Sequence, residues 1–174
     1  MRRVLFAVVL AIAGCATNYA QKPAEVVARK VEIRDSARDS FVAYSAPAAR
    51  QALSDGVFES YADYRLAARK DRATGVFTYS LFVVVTYAGD WRQYDSVSLP
   101  GGRTLAAKAL SKRVDFCGAG CQINEAVQVD IPPEELAKWA AGGVQIRLNG
   151  RLGQYVVLEI SRNYVLGFVK AAMA

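Results

Sequence analysis

From Phe41 onward, apolar and polar residues alternate along much of the chain with a period of two. That is the spacing of strands whose successive side chains face opposite sides of a sheet. The strongest run is Gly75 to Tyr87. Its odd positions, Phe77, Tyr79, Leu81, Val83, Val85 and Tyr87, are all apolar or aromatic, while its even positions mix Thr78, Ser80 and Thr86 with Phe82 and Val84. This predicts a central strand buried on one face and half-buried on the other. Val57 to Ala68 predicts a second strand, and residues 70–75 a polar turn between the two. Tyr94 to Leu99 is a shorter strand closed by Pro100-Gly101-Gly102. Residues 104–116 and 122–131 predict two strands joined by a short loop, and residues 144–148 and 155–160 a hairpin.

Two helices interrupt this pattern. Pro132-Pro133-Glu134-Glu135 opens the first, because proline is accepted in a first turn and acidic residues suit its positive end; Gly142-Gly143 stops it. Ser161 is the cap expected for a second, with Tyr164, Val165, Phe168, Val169 and Ala172 as its apolar stripe and Gly167 as an interruption. Seven or eight strands at roughly ten-residue turn spacing predict a mainly β fold, an antiparallel β-sandwich or open barrel with one or two short helices. Alternating strand–helix–strand units are not visible, which argues against a parallel sheet.

The chain has 174 residues, of which 53% are hydrophobic, enough for one ordinary domain with a sizeable core. The formal charge is +6, but the charges are scattered. No basic run with interleaved aromatics points to nucleic acid. Histidine is absent, which removes Ser-His-Asp and Cys-His catalysis and the commonest zinc ligand. No phosphate-cradling glycine loop, GxSxG turn or calcium loop is present, and no cofactor or metal is expected.

The first fifteen residues, MRRVLFAVVLAIAGC, place two arginines before an apolar run from Val4 to Ala13. A basic start and a short apolar stretch make a secretory signal, and the run is too short for a membrane span of roughly 20 residues. Ile12-Ala13-Gly14-Cys15 resembles the lipobox of bacterial lipoproteins: a branched apolar residue, two small residues, then cysteine. The resemblance implies cleavage before Cys15, acylation of its sulfur and of the new amino terminus, and membrane lipid as a partner. Ala16 rather than aspartate follows, which in enterobacterial members favours export to the outer membrane. The expected organisation is a signal at 1–14, a lipid anchor and tether at 15–39, in which Val26, Val27, Val31 and Ile33 offer a short helix or an edge strand, and one periplasmic β-rich domain at 40–174. Loss of Arg2 and Arg3 with the signal lowers the charge by two, to +4. An extended tether of about 25 residues reaches at most ~85 Å.

With Cys15 lipidated, Cys117 and Cys121 remain. Phe116-Cys117-Gly118-Ala119-Gly120-Cys121 fits a three-residue hairpin loop with glycine in its left-handed position. That register sets Cys117 opposite Cys121, within disulfide reach in an oxidising compartment. Free or metal-binding thiols and a redox pair are the alternatives, although thioredoxin-like motifs use two intervening residues at a helix start. The same register sets Arg113 opposite Glu125. Glu125 is the one charge among Ile123, Val127, Val129 and Ile131 on the inward face of its strand, so it needs a partner. The readings are a structural ion pair or a ligand-contacting carboxylate.

Tyr87, Trp91 and Tyr94 cluster around one loop and read as core caps at a strand end or as partner-binding aromatics. Together these features point to a non-catalytic lipoprotein that binds an envelope protein or a small ligand. The competing reading is an envelope enzyme acting on glycan or lipid through carboxylates such as Glu125.

Overall fold

The computed structural model describes residues 18–53, 60–117 and 121–174, with the backbone alone at 115–117. The signal, Cys15, Val57–Glu59 and the tip of the cysteine hairpin lie outside the described residues. The fold is mainly β, as expected, and among the described residues ten strands belong to one antiparallel sheet. They are β1 (Glu32–Arg34), β2 (Phe41–Ser45), β3 (Ala49–Leu53), β4 (Ser60–Asp71), β5 (Phe77–Ala88), β6 (Tyr94–Ser98), β7 (Thr104–Cys117), β8 (Cys121–Ile131), β9 (Val144–Gly150) and β10 (Tyr155–Ile160). Three helices accompany them: α1 (Ala24–Ala28), α2 (Pro133–Gly142) and α3 (Arg162–Ala172). The order is β1-β2-β4-β5-β8-β7-β6-β9-β10, and β3 shares one edge of β4 with β2.

The period-two pattern decides which face is core. Tyr79, Leu81, Val83, Val85 and Tyr87 of β5 are buried beside Ala62, Tyr64, Leu66 and Ala68 of β4 and Ile123, Val127, Val129 and Ile131 of β8. Each such aliphatic or aromatic side chain contributes about 1.5–3 kcal/mol on burial. The β4–β5 turn is held by Asp71, whose carboxylate accepts from the backbone N–H groups of Ala73 and Thr74 and from the Thr74 hydroxyl. Those bonds hold its carboxyl below the usual range.

The sheet does not close into a barrel, and one carboxamide, that of Gln51, crosses the seam between β3 and β10. Gln51 on β3 donates to the Val157 carbonyl and accepts from the Glu159 N–H on β10, both at 2.8 Å. Asn18 does the equivalent for Arg50, donating to its carbonyl at 2.8 Å and accepting from its N–H at 2.9 Å. Tyr64 on β4 adds a phenol donated to the Glu159 carbonyl at 3.1 Å. The Gln51 amide thus stands where a ladder between β3 and β10 would run.

Both predicted helices form, and a third precedes them. Leu136 and Trp139 of α2 are buried, and α2 stops at Gly143, whose φ of 76° lies in the left-handed region. Ser161 caps α3 by accepting from the Tyr164 N–H, and its own hydroxyl donates to the Ala20 carbonyl at 2.6 Å. Tyr164, Val165, Phe168 and Ala172 are buried as the stripe predicts. Gly167 is where α1 crosses: a Cβ there would lie 2.4 Å from the Ala24 carbonyl oxygen and 2.6 Å from the Val27 Cβ.

The expected tether is therefore corrected from Asn18 onward. Ala20 and Val27 are buried, α1 packs on α3, and β1 pairs with β2. Of the apolar residues noted there, Val26 and Val27 lie on the short helix α1, with Val27 buried, and Ile33 lies on the edge strand β1. Among the described residues no helix is long and apolar enough to cross a membrane.

Candidate functional site

Glu125 is 1% exposed. Its Oε1 accepts from the Arg92 N–H at 2.7 Å, from the Gln93 N–H at 3.0 Å and from the Tyr87 hydroxyl. The Arg92 N–H also donates to the Tyr87 oxygen at 3.0 Å. Gln93 is the only non-glycine residue with positive φ, 53°, among the described residues. With Gln93 left-handed, the successive N–H groups of Arg92 and Gln93 converge on a common point, the arrangement of an anion-binding concavity. Here the anion is the protein's own carboxylate, which offsets a strain of about 1–3 kcal/mol at Gln93. Burial, and then the bond to Glu125, push the Tyr87 phenol well above its ordinary value. The Arg92 guanidinium covers the Tyr87 ring at 4.1 Å and reaches the Tyr94 hydroxyl at 3.2 Å.

The expected Arg113–Glu125 pairing is corrected. Cys117 does face Cys121. The ladder then slips between Val114 and Phe116, so Arg113 faces Asn124 and Lys112 faces Glu125. A second slip lies between Ala109 and Ser111. Each bulge adds a residue to β7 without one on β8. Glu125 points instead into the core beneath the loop 89–93.

Tyr87 and Tyr94 are 1% and 2% exposed, with rings edge to face at 6.3 Å. Their burial overturns them as partner-binding aromatics and supports the core-cap alternative. Trp91 is half-buried against the same core.

Three open features lie elsewhere. A groove of about 340 Å³ on the outer face runs across Arg65, Phe82, Val84, Leu110 and Ala126. Val84 and Leu110 are 37% and 45% exposed, and the Arg65 guanidinium sits 5.5 Å from the Phe82 ring centre. Beside it, β7 pairs with β6 only through Thr104–Ala106, so among the described residues no strand lines its outer edge from Ala107 onward. A cleft of about 410 Å³ opens in the seam between Ala52–Leu53 and Tyr155–Val157. A third hollow, about 510 Å³, is lined by Arg69, Phe77, Phe82 and Asp130. Asp130 there accepts from Ser80 and Gln128, both at 3.0 Å. Phe82 and Val84 stood out in the sequence as apolar residues on the polar side of β5; Asn18 and Gln51 carried no signal, because a lone amide marks no particular strand edge.

No protein-family model matches the chain, and neither the curated proteins nor the solved structures include a match to it.

Proposed function

We propose that the protein is a lipid-anchored lipoprotein of the bacterial outer membrane, acylated on Cys15, whose periplasmic domain binds a protein partner and performs no chemistry. The outer groove across Phe82, Val84 and Leu110, next to the unlined edge of β7, carries the binding reading. Contiguous exposed apolar surface marks interaction sites, and a strand edge accepts an extended segment by main-chain hydrogen bonds. Exposed Lys108, Lys112 and Arg113 along β7 favour an acidic segment. Two antiparallel copies of β7 would instead bring like charges together.

The carboxylate expected to serve an enzyme argues the same way. Glu125 already accepts three hydrogen bonds in the core, which supports a structural role. In the same reading Cys117 and Cys121 form a disulfide that holds the end of the β7–β8 hairpin.

A photo-crosslinking residue at Leu110 in intact cells tests the binding site. The expected result is a discrete adduct that the same probe at Thr74 does not give. Purified domain should compete it away, and domain carrying Val84→Lys and Leu110→Lys should not. Equal crosslinking from both positions, or equal competition by both domains, refutes the assignment.

A further inference from the structure

We infer that the lipidated chain presses the β3–β10 side of the domain onto the headgroup layer. The inference rests on the proposal that Cys15 is acylated. Asn18 is fixed to the β3 backbone by two hydrogen bonds through Arg50. Two residues later, Ala20 is 6% exposed and its carbonyl accepts the Ser161 hydroxyl at 2.6 Å. The chain is therefore docked within three residues of the anchor. Three extended residues span at most ~10 Å, against ~85 Å for a free tether of about 25 residues. An acylated Cys15 backbone lies at the membrane interface, so Asn18 and the β3 strand to which it is bonded cannot stand clear of the lipid.

The exposed side chains around this point suit an anionic surface. Lys22 follows Asn18 closely, and Arg162 shares a groove with Gln21; Arg50 is already paired with Asp63 at 2.7 Å. Tyr155, 51% exposed, lies at the rim of the seam cleft. Aromatic and basic residues of this kind are favoured at the membrane–water interface. The turn at residues 72–75 and Lys70 point away. Lys70 lies seven residues along β4 from Asp63, or ~23 Å.

The test uses the full chain in vesicles of phosphatidylethanolamine and phosphatidylglycerol, a membrane-impermeant amine reagent and peptide-resolved mass spectrometry. Lys22 should react several-fold more slowly in the vesicle-bound chain than in the soluble Cys15→Ser chain, while Lys70 reacts equally in both. A flexible Gly-Ser linker of about 20 residues inserted after Ala16, with a mean reach of ~25 Å, should abolish the protection of Lys22. If the mature chain carries acyl groups yet Lys22 and Lys70 are protected alike, or the linker changes nothing, the face assignment is wrong and the anchor stands. A mature mass without acyl groups overturns both.

Discussion

Replacing Glu125 tests the reading of the core carboxylate as an internal anion. Glu125→Gln keeps the shape and an acceptor oxygen but removes the charge. Hydrogen bonds to a charged group are worth about 1.5–3 kcal/mol each and neutral ones about 0.5–1.5. The Arg92 N–H, the Gln93 N–H and the Tyr87 hydroxyl all donate to Oε1. The gross loss is therefore about 3–4 kcal/mol, reduced because a neutral amide is less costly to bury than a carboxylate. A net loss near 2 kcal/mol is expected, a fall in Tm of about 4–8 °C for a domain of this size. Glu125→Ala goes further. It leaves the Gln93 N–H and the Tyr87 hydroxyl without their acceptor, at about 1–3 kcal/mol each, leaves the Arg92 N–H only the Tyr87 oxygen, and removes what holds Gln93 in its left-handed conformation. Thermal melts followed by circular dichroism give the stability. Amide hydrogen exchange gives the location: the Arg92 and Gln93 amides should lose protection before the β5–β8 ladder does. A Gln variant melting within about a degree of wild type, or an Ala variant in which both amides stay protected, would refute the argument.

Gly167→Ala should destabilise the protein. The gain in helix propensity, about 1 kcal/mol, is outweighed by contacts of 2.4 and 2.6 Å with α1, where overpacking costs about 1–3 kcal/mol; faster tryptic cleavage at Lys22 or Lys30 checks that α1 has been displaced. Lys138 first, and Arg103, hold the Glu135 carboxyl below its usual range. Its stabilisation is then present above the unfolded value of about 4.3 and lost as pH falls through the lower folded value. Melting temperatures measured down to acid pH should fall more steeply in wild type than in Glu135→Gln. The proposed Cys117–Cys121 bond closes a short loop, so Cys121→Ser should cost less than the ~3 kcal/mol of a 15-residue loop, and intact mass under alkylation without reductant should show no free thiol in wild type.

The elements legible in the sequence were those where one physical signal dominated. The alternation of β5, the proline and acidic start of α2 and the Ser161 cap of α3 each appear where expected. β7 was legible as a strand but not in register, because nothing in Thr104–Cys117 marks where an extra residue is accommodated, and the bulge between Val114 and Phe116 moved Arg113 away from Glu125. The error at residues 18–39 has a different origin. A polar, alanine-rich segment looks free when taken alone, yet it docks through backbone contacts to Arg50 and through the space left by Gly167. Glu125 was recognisable as a charge needing a partner. The partner proved to be main chain, set by the conformation of Gln93 rather than by residue type.

The seam also governs the order in which the protein can finish folding. Synthesis delivers the amino terminus first, and the bonds that stitch β3 to β10 join residues 106 and 108 apart. Ser161 meets Ala20 across 141 residues, and Tyr164 meets Pro47 across 117. The early strands thus wait for their last neighbours until β10 and α3 arrive. Closure therefore comes late: until β10 and α3 have been made, β3 has no neighbour across the seam and the amino-terminal segment has no helix to lie against.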